Sequence, residues 1–233
     1  MALTDQQHRT TSPHHIARVL GALAVAMIWA LVGPPIPSAS AEPCPDIETV
    51  FARGTFEAPG VGKIGQDFVD ALRSQVGTRS VGVYAVNYPA STDFATGVDG
   101  IRDATAHIQS MAASCPKTKM VLGGYSQGAA VMGFTTADAV PAGINAAAVP
   151  APMPAKMANH VAAVALFGKP SPQFMQTVGQ PPVAIGPLYS AKLIELCTPN
   201  DPVCSDGGEW AAHGQYMDDG MVNQAATFVA SKL

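Results

Sequence analysis

Charge is scarce in this chain. Only 13% of its residues are Asp, Glu, Lys or Arg, the formal net charge is −4, and no basic cluster occurs. Such a surface carries no electrostatic footprint for nucleic acid and little attraction for an anionic membrane, so neither partner is expected on charge grounds. Long apolar runs are missing too. The one extended stretch, residues 19–32, is shorter than the ~20 residues that a spanning helix needs. No C-x-x-C pair is present, and the four cysteines are not spaced as zinc ligands. What the chain does have is 48% hydrophobic residues in 233, enough for one domain with a sizeable core and far from the composition of a disordered segment.

The N-terminus has the order of a targeting segment. Arg9 and Arg18 precede the apolar stretch, small residues follow it, and Ala39-Ser40-Ala41 fits an A-x-A cleavage pattern. Residues 1–41 therefore read as a secretory signal cut after Ala41, with an uncleaved anchor as the competing reading. No twin-Arg pair is present, which points to the general secretion route. The terminal Ser231-Lys232-Leu233 matches a peroxisomal address, but an exported chain never meets that receptor. Cys44, Cys115, Cys197 and Cys204 all lie beyond residue 41, and an even number in an exported chain reads as two disulfides.

Residues 42–233 alternate between strand-like and helix-like segments, the signature of a parallel sheet with helices on both faces. Strands are expected at 47–52, 81–86, 120–124, 161–167 and 193–196. Ile64, Phe68, Leu72 and Val76 mark one helical stripe, and Val98, Ile101, Ile108 and Met111 another. A helix of small residues starts at Gln127, and a last one is expected near Asp218-Asp219, acidic residues suited to a helix N-terminus. Residues 140–159, rich in Ala and Pro, and residues 170–187, rich in Pro, show no period. There is no internal repeat and no second domain.

Chemistry enters at Gly124-Tyr125-Ser126-Gln127-Gly128, a G-x-S-x-G pattern between a strand and a helix. The two glycines flank a turn so tight that side chains there meet neighbouring backbone, and the turn lifts the hydroxyl clear of the sheet. A serine hydroxyl needs a base. His107 reads as an exposed helix residue facing Asp103. His160 opens the fourth strand, in the wrong chain order. His213 precedes the last helix, in the order Ser…Asp…His that this kind of fold uses. For the acid, Asp201 lies just past the fifth strand, between Cys197 and Cys204. Glu195 falls inside that strand, Asp206 is the runner-up, and Glu209 is the remaining candidate. An oxyanion needs donors, and the amides of Gln127 and of Thr55, after the first strand, are placed to supply them.

Val50-Phe51-Ala52-Arg53-Gly54-Thr55, Asn87-Tyr88-Pro89-Ala90, Gly123 to Gly128, the Cys197–Cys204 segment with Asp201 inside it, and His213 together resemble the cutinase-like serine esterases. The resemblance implies a three-layer α/β-hydrolase core of about five parallel strands flanked by helices, without a lid domain. It implies disulfides Cys44–Cys115 and Cys197–Cys204 and an oxyanion hole from Thr55 and Gln127. Plant-polymer-degrading members carry serine at the place of Thr55.

The expectation is thus a secreted ester hydrolase, acting as a monomer on an ester or lipid substrate through an acyl-enzyme, with neither cofactor nor metal. The alternatives are an acyltransferase or lipase-like enzyme of the cell envelope, associated with its surface, and a catalytically silent envelope-binding protein. Phe94, Trp210 and Met217 are expected to form a shallow apolar lip at an open site. The counter-reading has Met153 and Met157 lying over it as a mobile cap.

Overall fold

Strand and helix alternate along the chain, so each strand must return to the same sheet running in the same direction. The computed structural model describes residues 43–233, and the expected signal segment with its cleavage site lies outside the described residues. The strands are β1 (Ile47–Ala52), β2 (Val81–Ala85), β3 (Lys119–Tyr125), β4 (Val161–Phe167) and β5 (Leu193–Leu196), all parallel in the order β2-β1-β3-β4-β5. All six residues of β1 are buried, as suits a strand enclosed on both faces, whereas β2 at the edge is half-exposed.

The helices are α1 (Gly62–Gln75), α2 (Gly97–Ser114), α3 (Gln127–Thr135), α4 (Pro172–Thr177) and α5 (Met221–Ala230). Alternate strand residues divide the core in two. Val50, Leu122 and Val164 face α2 and α3, with Ile108 and Met132 packed on them. Phe51, Val121 and Ala163 face α1 and α5, where Phe51, Phe68 and Phe167 form a trio with ring centroids 5.7–6.3 Å apart. Cys44 joins Cys115 and Cys197 joins Cys204.

Register brings the chemistry to one edge. Ala52 lies opposite Gly124, Tyr125 opposite Phe167, and Phe167 opposite Leu196. The loops carrying Thr55, Ser126 and Asp201 therefore leave the sheet together. The strand order reverses between β1 and β3, the crevice where open parallel sheets bind ligands.

Two expectations change here. The last helix begins at Met221 rather than at Asp218-Asp219, because those aspartates lie in a turn that ends on Gly220 at φ 73°. The stretch 170–187, expected to be irregular, contains α4. Ser171 caps it by accepting the Phe174 N–H at 3.1 Å, and Pro172 fits its first turn. Six residues are too few to show a stripe.

Candidate active site

The turn at Ser126 is built by its neighbours. The Ser126 N–H donates to the Phe167 carbonyl at 2.9 Å, which ties the end of β3 to β4. The Ser126 carbonyl accepts from Ala129 and Ala130, so α3 starts with no intervening loop. Ser126 is held at φ 55°, ψ −119°, a conformation that non-glycine residues rarely occupy. A Cβ at Gly124 would lie 2.3 Å from the Gly128 carbonyl oxygen, and one at Gly128 would lie 2.0 Å from that of Ala52. Both glycines of the motif are thus dictated by backbone contact.

Asp201 is fully buried inside the Cys197–Cys204 loop. Its Oδ1 accepts the Val203 N–H at 2.8 Å, and its Oδ2 faces both His213 Nδ1 at 2.8 Å and the Tyr216 hydroxyl. Burial pushes the carboxyl up. The bonds from His213, Tyr216 and Val203, with the charge of His213, outweigh burial and leave it below its ordinary value. An ionised Asp201 holds the imidazole hydrogen on Nδ1, which leaves Nε2 as an acceptor 2.9 Å from Ser126 Oγ. The histidine lies on a single-turn helix, Trp210–Gly214, whose position is set from below: the Tyr125 hydroxyl donates to the His213 carbonyl at 2.6 Å, and the two rings stack at 5.0 Å. Burial raises the Tyr125 and Tyr216 phenols well above their ordinary value, and the charge of Glu57 adds to this at Tyr125 and the hydrogen bond to Asp201 at Tyr216, so both remain donors.

The loop after β1 is clamped by Arg53. Its guanidinium, buried beneath the loop, donates to the carbonyls of Glu57 at 2.8 Å and Tyr88 at 2.6 Å, while Phe56 N–H reaches the Ala90 carbonyl at 2.8 Å. This explains why Arg53-Gly54-Thr55 and Asn87-Tyr88-Pro89-Ala90 occur together. Glu57 completes the clamp by accepting the Gly54 and Lys63 N–H groups at 2.6 and 2.8 Å. Thr55 Oγ1 lies 3.4 Å from Gln127 Oε1, and Gln127 Nε2 donates to the Ser91 carbonyl at 3.0 Å. Among the described residues neither the Thr55 nor the Gln127 amide N–H has an acceptor outside helix and strand bonding, and Gln127 is the first residue of α3, where no helical acceptor exists.

Ser126, His213, Thr55 and Gln127 open into one cavity of about 530 Å³, with no Asp, Glu, Lys or Arg in its walls. This is deeper than the expected lip. Phe94 and Trp210 line it as expected, but Met217 packs instead against the α1 and α5 core. Met157 is buried in the core and Met153 packs against it, so neither caps the site. The neighbouring segment lines it instead, including Val140, Ile144 and Pro150. The other sequence candidates lie elsewhere. Glu195 pairs with Lys169 at 2.8 Å, His160 precedes β4 at the far end of the sheet, and Asp206 and Glu209 are exposed. His107 corrects the expectation of an exposed residue. Its Nε2 is 2.6 Å from Glu48 Oε1 and its ring stacks on Tyr84 at 3.5 Å, because β1 and β2 lie beneath that helix face. Asp103, expected to face it, accepts instead from the Tyr84 hydroxyl and the Asn87 N–H.

Tyr125 and Tyr216 escaped sequence reasoning. The first is the variable position of the serine motif and the second follows His213 by three residues, so their proximity to the site was visible but their partners were not. Among the described residues no group of three or more His, Cys, Asp or Glu could hold a metal.

A family model described as Cutinase matches residues 43–233. The chain is 60% identical to probable carboxylesterase Culp5 of Mycobacterium tuberculosis over 74% of this chain and 98% of that protein. It is 50% identical to carboxylesterase Culp1 of the same organism over 95% and 98%. Among solved structures, a Trichoderma reesei cutinase in complex with a phosphonate inhibitor superposes with a TM-score of 0.63 at 32% identity, covering 91% of this chain and 85% of that one.

Proposed function

The chain belongs to the cutinase family of carboxylic ester hydrolases, and on that premise we propose that it cleaves apolar acyl esters with Ser126 as nucleophile, His213 as general base and Asp201 as the orienting acid. The observation that carries this reading is the unbroken chain of contacts from Asp201 through His213 to Ser126, 2.8 and 2.9 Å long. In it, Ser126 Oγ attacks the ester carbonyl carbon as its proton passes to His213 Nε2. The carbonyl oxygen takes the negative charge and is met by the amides of Gln127 and Thr55. Collapse of this intermediate breaks the bond to the alcohol oxygen, which receives the proton from His213, and an acyl group remains on Ser126. Water then repeats the sequence and releases the acid.

The cavity supports an apolar acyl part, since its walls offer alkyl and aromatic groups and no charge. Export, with removal of residues 1–41, is part of the proposal. Two disulfides in a chain without free cysteine among the described residues fit an oxidising compartment. The test is twofold. Pure protein hydrolyses a p-nitrophenyl ester, and a fluorophosphonate labels Ser126 alone. Turnover or labelling that survives Ser126→Ala would reassign the nucleophile.

A further inference from the structure

Tyr125 occupies the variable position of the serine motif, directly before the nucleophile. Its side chain meets the base, the oxyanion loop and the residue that holds the acid. The hydroxyl donates to the His213 carbonyl at 2.6 Å. The ring stacks on the imidazole, with centroids 5.0 Å apart and planes 30° from parallel. It meets the Tyr216 ring edge to face at 5.8 Å, and Tyr216 in turn donates to Asp201. In the loop after β1 it packs directly on Gly54, where a Cβ would lie 2.6 Å from Tyr125 Cδ1. Gly54 thus leaves the room that this ring fills, which links the Arg53-Gly54-Thr55 segment to the serine motif.

The ring is held at both ends. Its backbone is paired into the sheet opposite Phe167, and its hydroxyl is tied to the single turn, Trp210–Gly214, that carries His213. Burial, then the charges of Glu57 and Asp201, push the phenol well above its ordinary value, so the hydroxyl keeps its proton and stays a donor.

In the triad reaction the imidazole changes charge. It is neutral while Ser126 waits and becomes a cation as the proton reaches Nε2. A cation over the face of an aromatic ring, within about 6 Å of its centroid, is attracted by the ring quadrupole. A stacked ring therefore favours the charged imidazole, and an interaction that strengthens toward the transition state is one that accelerates. The groups that face His213 are Asp201 at Nδ1, Ser126 at Nε2, and the rings of Tyr125, Trp210 and Tyr216. Asp201 supplies the charge. Trp210 and Tyr216 stand nearly perpendicular to the imidazole at 6.2 and 6.5 Å, so the stacked face comes from Tyr125.

We propose that Tyr125 is a positioning residue for the base: its hydroxyl fixes the turn that carries His213, and its ring face stabilises the imidazolium that His213 becomes. This rests on the triad reading above.

Fluorinated phenylalanines, placed at residue 125 by nonsense suppression, separate charge from shape. Tyr125→Phe keeps the ring and removes the hydroxyl. Fluorines added to that ring withdraw charge from its face and change its outline little. On a p-nitrophenyl ester, Tyr125→Phe should lower kcat by up to about tenfold, the worth of one neutral hydrogen bond, with the acid-side decline of kcat/KM unmoved. From Tyr125→Phe to Tyr125→pentafluorophenylalanine, kcat/KM at its plateau should fall by a further factor of roughly two to thirty. The acid-side decline should also move to lower pH, because the cation is then harder to form. If the pentafluoro protein does not fold, the trend over the mono-, di- and trifluoro forms carries the same test. Equal rates along the fluorinated series, or rates that fall with an unmoved pH profile, overturn the role of the ring face. A Tyr125→Phe protein with native kcat overturns the role of the hydroxyl. Fluorophosphonate labelling of the native protein runs alongside. Labelling at Ser126 with no response to fluorination condemns the role of Tyr125 alone, while a native protein that is not labelled condemns the triad reading beneath it.

Discussion

The Tyr216 hydroxyl donates to Asp201 Oδ2, the same oxygen that faces Nδ1 of His213. One carboxylate oxygen thus holds both the imidazole and a phenol that is itself wholly buried and lies 3.3 Å from the Cys204 sulfur. In the proposed reaction Tyr216 would position the acid without touching the reacting atoms.

Tyr216→Phe keeps the ring and removes that one donor. A hydrogen bond to a charged group contributes about 1.5–3 kcal/mol, so kcat should fall by roughly ten- to a hundredfold with KM little changed. With one donor fewer, Asp201 becomes a stronger acceptor for the imidazolium formed when His213 takes a proton, so the acid-side decline of kcat/KM should begin at higher pH. A lower melting temperature with an unmoved pH profile would reduce Tyr216 to a packing residue.

Asp201 also makes stability depend on pH. Its folded-state value is depressed, so its contribution is fully present above the unfolded value of about 3.9 and is lost as pH falls through the folded value. Asp201→Asn cannot titrate. The melting-temperature gap between native protein and this variant should be constant above about pH 5 and shrink below about pH 4. A gap independent of pH down to the acid transition would show that the carboxylate does not contribute in this way.

The disulfides should differ in what they protect. Cys44–Cys115 spans 71 residues and Cys197–Cys204 spans 7. The chain-entropy relation gives about 4 kcal/mol for the first and about 2.5 kcal/mol for the second. Removing the second with paired alanines frees the loop around Asp201, so activity should be lost at temperatures where circular dichroism still reports a folded protein. Removing the first should lower the melting temperature more and leave the kcat of the remaining folded protein nearly unchanged. Equal kcat in both variants would refute the framing role of the short loop.

His107 offers a contrast between stability and chemistry. His107→Ala leaves Glu48 without its partner at a largely buried site and exposes the Tyr84 ring. A cost of about 1–3 kcal/mol in urea unfolding is expected, with ester turnover within a few-fold of native. A hundredfold loss of kcat would place this histidine in the chemistry after all.

Some of this architecture was legible because the physics is local. β4 ends where its apolar run ends, and Gly124 and Gly128 announce a turn that only glycine permits. Asp201 stood out because two cysteines bracket it, and it lies against His213. Other features depend on partners distant in the chain. His107 looked exposed because its own helix shows only Asp103 as a neighbour, whereas Glu48 lies 59 residues away. Tyr216 has no distinguishing local pattern, and the six residues of α4 cover fewer than two turns. The segment lining the cavity was invisible for a related reason: residues 140–152 follow no period, so their direction is set wholly by the surfaces they cover.

Eight of the nine residues of α3 are buried, and this helix both lines the cavity and starts directly after the serine. The walls are different. Trp210 is 65% exposed, and the segment around Ile144 is loop. A change in α3 strains the core and the elbow together, while a change at Trp210 or in the loop around Ile144 meets mostly solvent. Selection for a new ester, in nature or in the laboratory, therefore has a wide tolerant region at the walls and almost none in α3. Variants of this protein should diversify in what they accept long before they diversify in how they cut it.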